Sequence, residues 1–380
     1  MVQLHANQST GCAEEALNKV FLTKPPSGSA FSQARDRVSW RYFEWVFEHT
    51  ATHFCEKNRP LFKGYYLTAI DGDQYLIERN KHTLNAGYSG QKCGKNHESY
   101  GLKMYLAFGI DMISGAPLGI SISTNPNELA LGLESTKKIH KLQSLFNKSG
   151  LDTIKHIFTY DRLYFCRDLI DLHKFQRTGF VVRCKKNGTF SEIKDFIESG
   201  KKEVTTEINS MKIKLIKAMH KNTTYYYATN IFDEEMTNDD ISWIYLRRWE
   251  IETTNSHGVN IAKIEHFHSI KPNGIIQEIF ASFWAILITK TNRVHLQQTK
   301  EDFRQQTYRR QNSKRVYNEL LNNLTDLFSD KSNKILDQIC ELAKLTTRKI
   351  IRLGRVFERI RSYRRNKKYR YRQAVPIPIV

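Results

Sequence analysis

Tyr65-Tyr66-Leu67-Thr68-Ala69-Ile70-Asp71-Gly72-Asp73 is the stretch on which the fold turns. Its first six residues form a near-continuous apolar run, the pattern of a strand buried on both faces. The run stops at Asp71-Gly72-Asp73, a turn-like close. A second stretch has the same form: His156-Ile157-Phe158-Thr159-Tyr160 reads as a buried strand and ends at Asp161. Working outward, strands alternate with helices. Leu102–Ile113 and Leu118–Ser123 read as a hairpin around Ser114-Gly115, and Leu129–Phe146 has helical spacing. A helix follows Asp161 to about Phe175, and Phe180–Arg183 is a further strand. Such alternation predicts an α/β sheet. Residues 79–101 are polar and glycine-bearing, a loop.

The flanks differ. Residues 1–62 read as helical, with Ser29 capping a short helix over Ala30–Arg37 and a second helix starting near Ser39. Val204–Ile208, Ile213–Met219 and Thr223–Thr229 are short strand-like segments, so residues 186–240 form a β-rich stretch inside the α/β region. Helical pattern resumes near Asp239 and continues to the end.

Composition narrows the function. Among 380 residues, 59 are Lys or Arg and 39 are Asp or Glu, a formal net charge of +20. That excludes an ordinary near-neutral metabolic enzyme as the default and points to a polyanionic partner. The longest apolar run, Ile279–Thr289, is far short of the ~20 residues of a spanning helix. The opening residues lack a basic region followed by an apolar one, so no secretory signal is expected. Six scattered cysteines without a C-x-x-C read as reduced thiols rather than a disulfide framework or zinc site.

Acidic residues are the informative ones in so basic a chain. In open α/β sheets ligands gather at the carboxyl ends of strands. Two aspartates meeting there make an oxygen-rich site suited to Mg²⁺ or Mn²⁺. A helix supplies a third carboxylate: in Tyr245-Leu246-Arg247-Arg248-Trp249-Glu250-Ile251-Glu252, Tyr245, Arg248 and Glu252 stand at i, i+3 and i+7 on one face. Two cations held by shared carboxylates about 3.5–4 Å apart can activate an attacking oxygen and stabilise a leaving one. An arginine beside them can hold a phosphate. Each element alone also has a plainer reading, as a turn residue, a helix cap or a solvated face. Asp73 points to the same side of the strand as Asp71, and periodicity does not choose between them.

In combination these stretches resemble the DDE transposases of bacterial insertion sequences, in particular the cut-and-paste "insertion-sequence four" group with its Y-R-E-K signature. Ser29-Ala30-Phe31-Ser32-Gln33-Ala34-Arg35 is similar to that family's N-terminal helix motif. Ala69-Ile70-Asp71-Gly72-Asp73 and Tyr160-Asp161-Arg162-Leu163-Tyr164-Phe165 are similar to its two aspartate stretches. Tyr245 to Glu252 matches Y-x-x-R-x-x-x-E, and Ile264–Ser269 and Gln277–Phe280 follow in order. The resemblance implies a ribonuclease-H-like mixed sheet with a β-rich insertion, flanked by N- and C-terminal helical regions. It favours Asp71 over Asp73. It implies that Asp71, Asp161 and Glu252 hold two Mg²⁺, with Mn²⁺ substituting, and that Tyr245 and Arg248 contact phosphates at the element's end. The chain then divides into an N-terminal helical DNA-binding region (1–62), the first part of a catalytic core (63–185), the β-rich insertion (186–240), the second part of the core with the glutamate helix (241–300) and a basic helical region (301–380).

The chain departs from the pattern in three places. Val259 stands where the family has lysine, with Lys263 one helical turn further on as a replacement. Leu163 follows Asp-Arg where a small residue is usual. The insertion has no tryptophan for stacking a flipped base, although Tyr225, Tyr226 or Tyr227 can serve.

Near the C-terminus Arg348, Arg352, Arg355 and Arg359 recur as one stripe of an expected helix. Three tyrosines then interleave with basic residues to Arg372. The pattern suits phosphate tracking with some stacking. The whole predicts a DNA transposase acting on terminal inverted repeats and target DNA, with two copies in the synaptic complex, no membrane association and a cytoplasmic, nucleoid-associated setting. The alternatives are a decayed or domesticated DNA-binding protein and a metal-dependent nuclease without strand transfer.

Overall fold

A computed structural model of the chain describes residues 27–57, 59–90, 101–144, 155–185, 190–220, 223–291, 309–310, 312–323, 332–345 and 348–349. The first two helices are α1 (Gly28–Arg37) and α2 (Trp40–Lys57). Ser27, not Ser29, caps α1, its hydroxyl accepting from the Ala30 N–H at 3.2 Å. The reason is positional: the cap must precede the first turn, and Gly28 already has helical geometry.

The sheet comprises β1 (Tyr65–Ile77), β2 (Leu102–Asp111), β3 (Pro117–Ser123), β4 (Lys155–Tyr160) and β5 (Gly179–Arg183). Its order is β3-β2-β1-β4-β5, with β1–β3 antiparallel and β4 and β5 parallel to β1. This is the expected ribonuclease-H-like mixed sheet. The β-rich stretch supplies β6 (Glu203–Ile208), β7 (Met211–His220) and β8 (Thr223–Thr229). Antiparallel pairing of β8 with β5 carries these three strands onto the same sheet, making it eight-stranded.

Helices cover both faces. A short helix, α3 (Lys81–Asn85), follows β1 where only loop was expected, started by an Asn80 capping box. The long α4 (Glu128–Ser144) packs on β1–β3. Gly109 and Gly119 make way for it: a Cβ there would lie 2.2 Å and 2.7 Å from side-chain atoms of Ile139. Phe108, one residue from Gly109 and so on the opposite face, meets Phe283. Phe283 belongs to a long buried helix, numbered here after α5 (Arg167–Gln176), α6 (Ser191–Glu198), α7 (Asn238–Arg247) and α8 (Glu250–Asn260): α9, Pro272–Thr291. Helices α10 (Ser313–Asn322) and α11 (Ser332–Leu345) complete the described set. Among the described residues no helix is long and apolar enough to cross a membrane.

The Ser29–Arg35 and Gln277–Phe280 stretches meet between α1 and α9. Arg35 of α1 donates to Gln277 Oε1 at 3.1 Å and forms an ion pair with the fully buried Glu278 of α9. Glu278 also accepts from the N–H groups of His268 and Ser269. One buried carboxylate thus ties together α1, α9 and the loop that begins after α8.

Three expectations about elements need correction. Strand β1 does not close at Asp71 but continues to Ile77, because β2 goes on pairing with it there. The helix carrying Tyr245 and Glu252 is interrupted at Arg248-Trp249, which form a turn between α7 and α8. Arg348 is not helical: Arg348-Lys349 pairs antiparallel with Arg309-Arg310 as two short strands. Arg352, Arg355 and Arg359 lie outside the described residues, as do residues 1–26.

Candidate active site

The register of the sheet positions the aspartates. The last parallel pair of β1 with β4 is Ala69 with Thr159. Beyond it β1 is open on the β4 side while β2 still holds its other edge. Asp71 lies two residues into this opening, and Asp161 immediately follows the last residue of β4. The two acids therefore flank a notch at the carboxyl end of parallel strands, where α/β sheets gather ligands. Tyr160 pairs with Val182, so Arg183, the last residue of β5, falls beside Asp161. Arg183 Nη2 stands 3.8 Å from Asp161 Oδ1.

Helix α8 brings the third carboxylate. The turn of the β2–β3 hairpin anchors it: Thr254 Oγ1 donates to the Gly115 carbonyl at 2.9 Å, and Lys290 of α9 pairs with buried Glu250 at 3.8 Å. Gly115 has φ +78°, and a Cβ there would lie 3.1–3.2 Å from Glu250, Lys290 and Thr254. A glycine is required by both the backbone and the close approach. So held, α8 presents Glu252 to solvent, its side chain 60% exposed.

Arg248 links the carboxylates. Its Nη1 is 3.5 Å from Asp71 Oδ2, and its Nη2 is 3.7 Å from Glu252 Oε1. The guanidinium also lies over the Tyr245 ring, 5.8 Å from the centroid. Tyr245 is itself buried against Tyr227. Burial pushes the Asp71 carboxyl up to about 6. Arg248 and the Gly72 N–H pull it back, and the charges of Glu128 and Asp161 raise it further. Asp73 turns elsewhere: burial raises its carboxyl against hydrogen bonds from Gln74, Asn255 and Tyr75, and Glu265 is raised by burial and then by the charge of Asp73. Only Asp71 of the two pairs with Arg248.

Helix α8 does not carry Lys263 to this cluster. Helix α8 continues through Gly258 to Asn260, and Lys263 follows in a left-handed turn at φ +55°. It is therefore not one turn further along the glutamate face. Val259 packs against the core. Of the insertion tyrosines, Tyr227 is buried and Tyr225 stacks on it.

Sequence reasoning passed over Arg183, Glu128 and Trp249. The strand-end logic used for Asp161 applies equally to Arg183. Trp249, 61% exposed, sits in the turn between Arg248 and Glu250, where an unbroken helix would have hidden its prominence.

The donor set fits a hard divalent cation in kind, since every candidate ligand is a carboxylate oxygen. Among the described residues no three acidic, histidine or cysteine side chains are already closed around one point. A cation is nonetheless between two of them, for the Arg248 guanidinium occupies the position between Asp71 and Glu252. Asp71 is half-buried with its carboxyl raised by desolvation, and a cation beside it would offset that cost.

A ribonuclease-H-like sheet with acids at the open end of its parallel strands, paired with arginines, defines a class of domain built for phosphate chemistry. The family model described as the transposase DDE domain matches residues 63–288, and the chain belongs to that family. The match spans Asp71, Asp161 and Glu252, and membership implies dependence on a divalent metal. Among solved structures the chain is similar to piggyBac transposase in a cryo-electron-microscopy synaptic complex with hairpin DNA. That match has 11% identity and a TM-score of 0.42, and covers 77% of this chain and 59% of that one. Comparison with curated proteins finds no match.

Proposed function

We propose that the chain is a DNA transposase that cleaves strands at the ends of a mobile element and transfers the freed 3′-hydroxyl into target DNA. Family membership over a span holding all three carboxylates is the observation that carries this reading. Asp71, Asp161 and Glu252 would hold two Mg²⁺, or Mn²⁺ in their place. When bound, the ions supply charge stabilisation for in-line phosphoryl transfer. The protein's own part is positioning. Arg183 and Arg248 are placed to take backbone phosphates, each leaving a carboxylate it now neutralises. Tyr245 acts by bracing Arg248 from below. Trp249, exposed and next to Arg248 in the chain, offers a flat apolar face on which an unpaired terminal base can stack.

Membership of the insertion-sequence four group, terminal inverted repeats as ligand, a homodimeric synaptic complex and nucleoid association belong to this same reading. So do DNA contacts by Lys263, Arg348, Arg352, Arg355 and Arg359. The test is purified full chain with blunt or pre-nicked element ends and Mg²⁺. Asp71→Asn, Asp161→Asn and Glu252→Gln are each expected to lose at least ~10²-fold in nicking and joining while still binding DNA. Wild-type rates in any of the three would overturn the assignment.

Val259 favours a second reading, a non-catalytic DNA-binding protein on this fold. It predicts salt-sensitive binding with no metal-dependent nicking at all. A nuclease without strand transfer would cut but not join. Lys263→Ala with unchanged activity would show that Lys263 has not replaced the family's lysine.

A further inference from the structure

We propose that Glu128 is a fourth carboxylate of the catalytic centre and helps to hold a divalent cation beside Asp71. The proposal rests on the function proposed above. Both aspartate stretches touch the first turn of α4, which this residue opens. A Cβ at Gly72 would lie 2.3 Å from Glu128 Cγ, 2.7 Å from Cδ and 3.1 Å from Oε1. Any side chain at position 72 would therefore displace Glu128. Tyr164, three residues after Asp161, has its hydroxyl 3.4 Å from the Glu128 carbonyl. The same tyrosine is seated on Gly132, one turn along α4, where a Cβ would lie 2.3 Å from its ring. The first turn of α4 is thus clasped between the neighbour of one catalytic aspartate and a near neighbour of the other.

A plainer role for Glu128 is available: acids favour helix N-termini, and it opens α4. That role alone does not call for the side chain to lie against the β1 backbone at position 72. Here the side chain lies against the β1 backbone at Gly72, the residue that follows Asp71. It also remains solvent-exposed, so a hydrated cation can reach it. Mg²⁺ keeps several waters and uses few carboxylates, which need not all bind it directly. Glu128 can serve as a direct ligand or as an acceptor for a metal-bound water, and both require it where Gly72 admits it.

The experiment is Mn²⁺ binding to the full chain without DNA, read by calorimetry and by paramagnetic resonance of free Mn²⁺, with melting in EDTA as a control. Wild type is expected to bind, and Asp71→Asn to lose most of that affinity. Glu128→Gln is expected to weaken binding about tenfold, the scale of ligand-supporting groups, with an unchanged or higher melting point in EDTA. Glu128→Asp, with its charge kept and its reach shortened, is expected to fall between the two and guards against a misfolded Gln variant. Wild-type affinity in both Glu128 variants, with Asp71→Asn impaired, overturns the role of Glu128 alone. No Mn²⁺ binding by wild type, or none lost in Asp71→Asn, overturns the metal-centre reading and the Glu128 proposal with it.

Discussion

Asp71 carries its charge at a cost. Its ordinary value of 3.8 becomes about 6 in the folded chain. Between about pH 4 and pH 6 the folded state therefore holds more protons than the unfolded one. Stability falls as pH rises through that window and stays lower above it. Asp71→Asn is expected to melt like wild type near pH 4 and to be more stable at pH 8, by on the order of 2–3 kcal/mol, in EDTA. Urea melts at the two pH values check this, and divalent cation should narrow the gap by stabilising wild type. Trp249 is a second residue-scale case. Trp249→Ala is expected to leave stability within about 0.5 kcal/mol, because the ring is mostly in water. If the ring stacks on a terminal base, affinity for element ends should drop by about 1–3 kcal/mol. Asp71 was legible because an apolar run ended in an acid. Glu128 was not, since the glycine that explains it lies in another strand and no spacing rule joins positions 72 and 128.

The sequence pattern located elements better than their joints. Strand β1 read as six residues because its apolar run ends at Ile70, yet it has thirteen. Past Asp71 it is held by β2 alone, and a half-covered strand alternates instead of running apolar. The break at Arg248-Trp249 was hidden for the opposite reason: both residues keep helical backbone angles, and only the hydrogen-bond pattern is interrupted. The Ser29–Arg35 and Gln277–Phe280 stretches were visible separately, but their meeting at Arg35 and Glu278 was not. That contact gives an element-scale prediction. Arg35→Ala removes the cationic partner of the buried Glu278, which keeps the His268 and Ser269 N–H groups, and is expected to cost about 3 kcal/mol in denaturant melts. The α1–α9 contact should open first, seen as faster amide exchange in Gly28–Arg37.

At the scale of the molecule, the charge is unevenly placed. From Arg348 to Arg372 there are twelve basic residues against one acid, so over half of the net +20 sits in one C-terminal stretch. A chain ending at residue 347 should bind DNA more weakly and depend less on salt. The log–log slope is expected to fall by about 0.9 for each phosphate contact removed. An unchanged slope would place the DNA grip elsewhere, on Arg183, Arg248 and the sheet edge.

The Arg35–Glu278 contact also fixes an order of events during synthesis. Its partners are 243 positions apart. At roughly 5–20 residues per second, α1 leaves the ribosome on the order of 10–50 s before α9 exists to receive it. Until then Trp40, which stacks on Phe280, and Phe47, which also packs on it, lack that partner. A chain interrupted before position 272 would leave the α9-facing side of α2 uncovered, a target for chaperones and proteases. A truncated product of this gene should thus be short-lived however intact its aspartates.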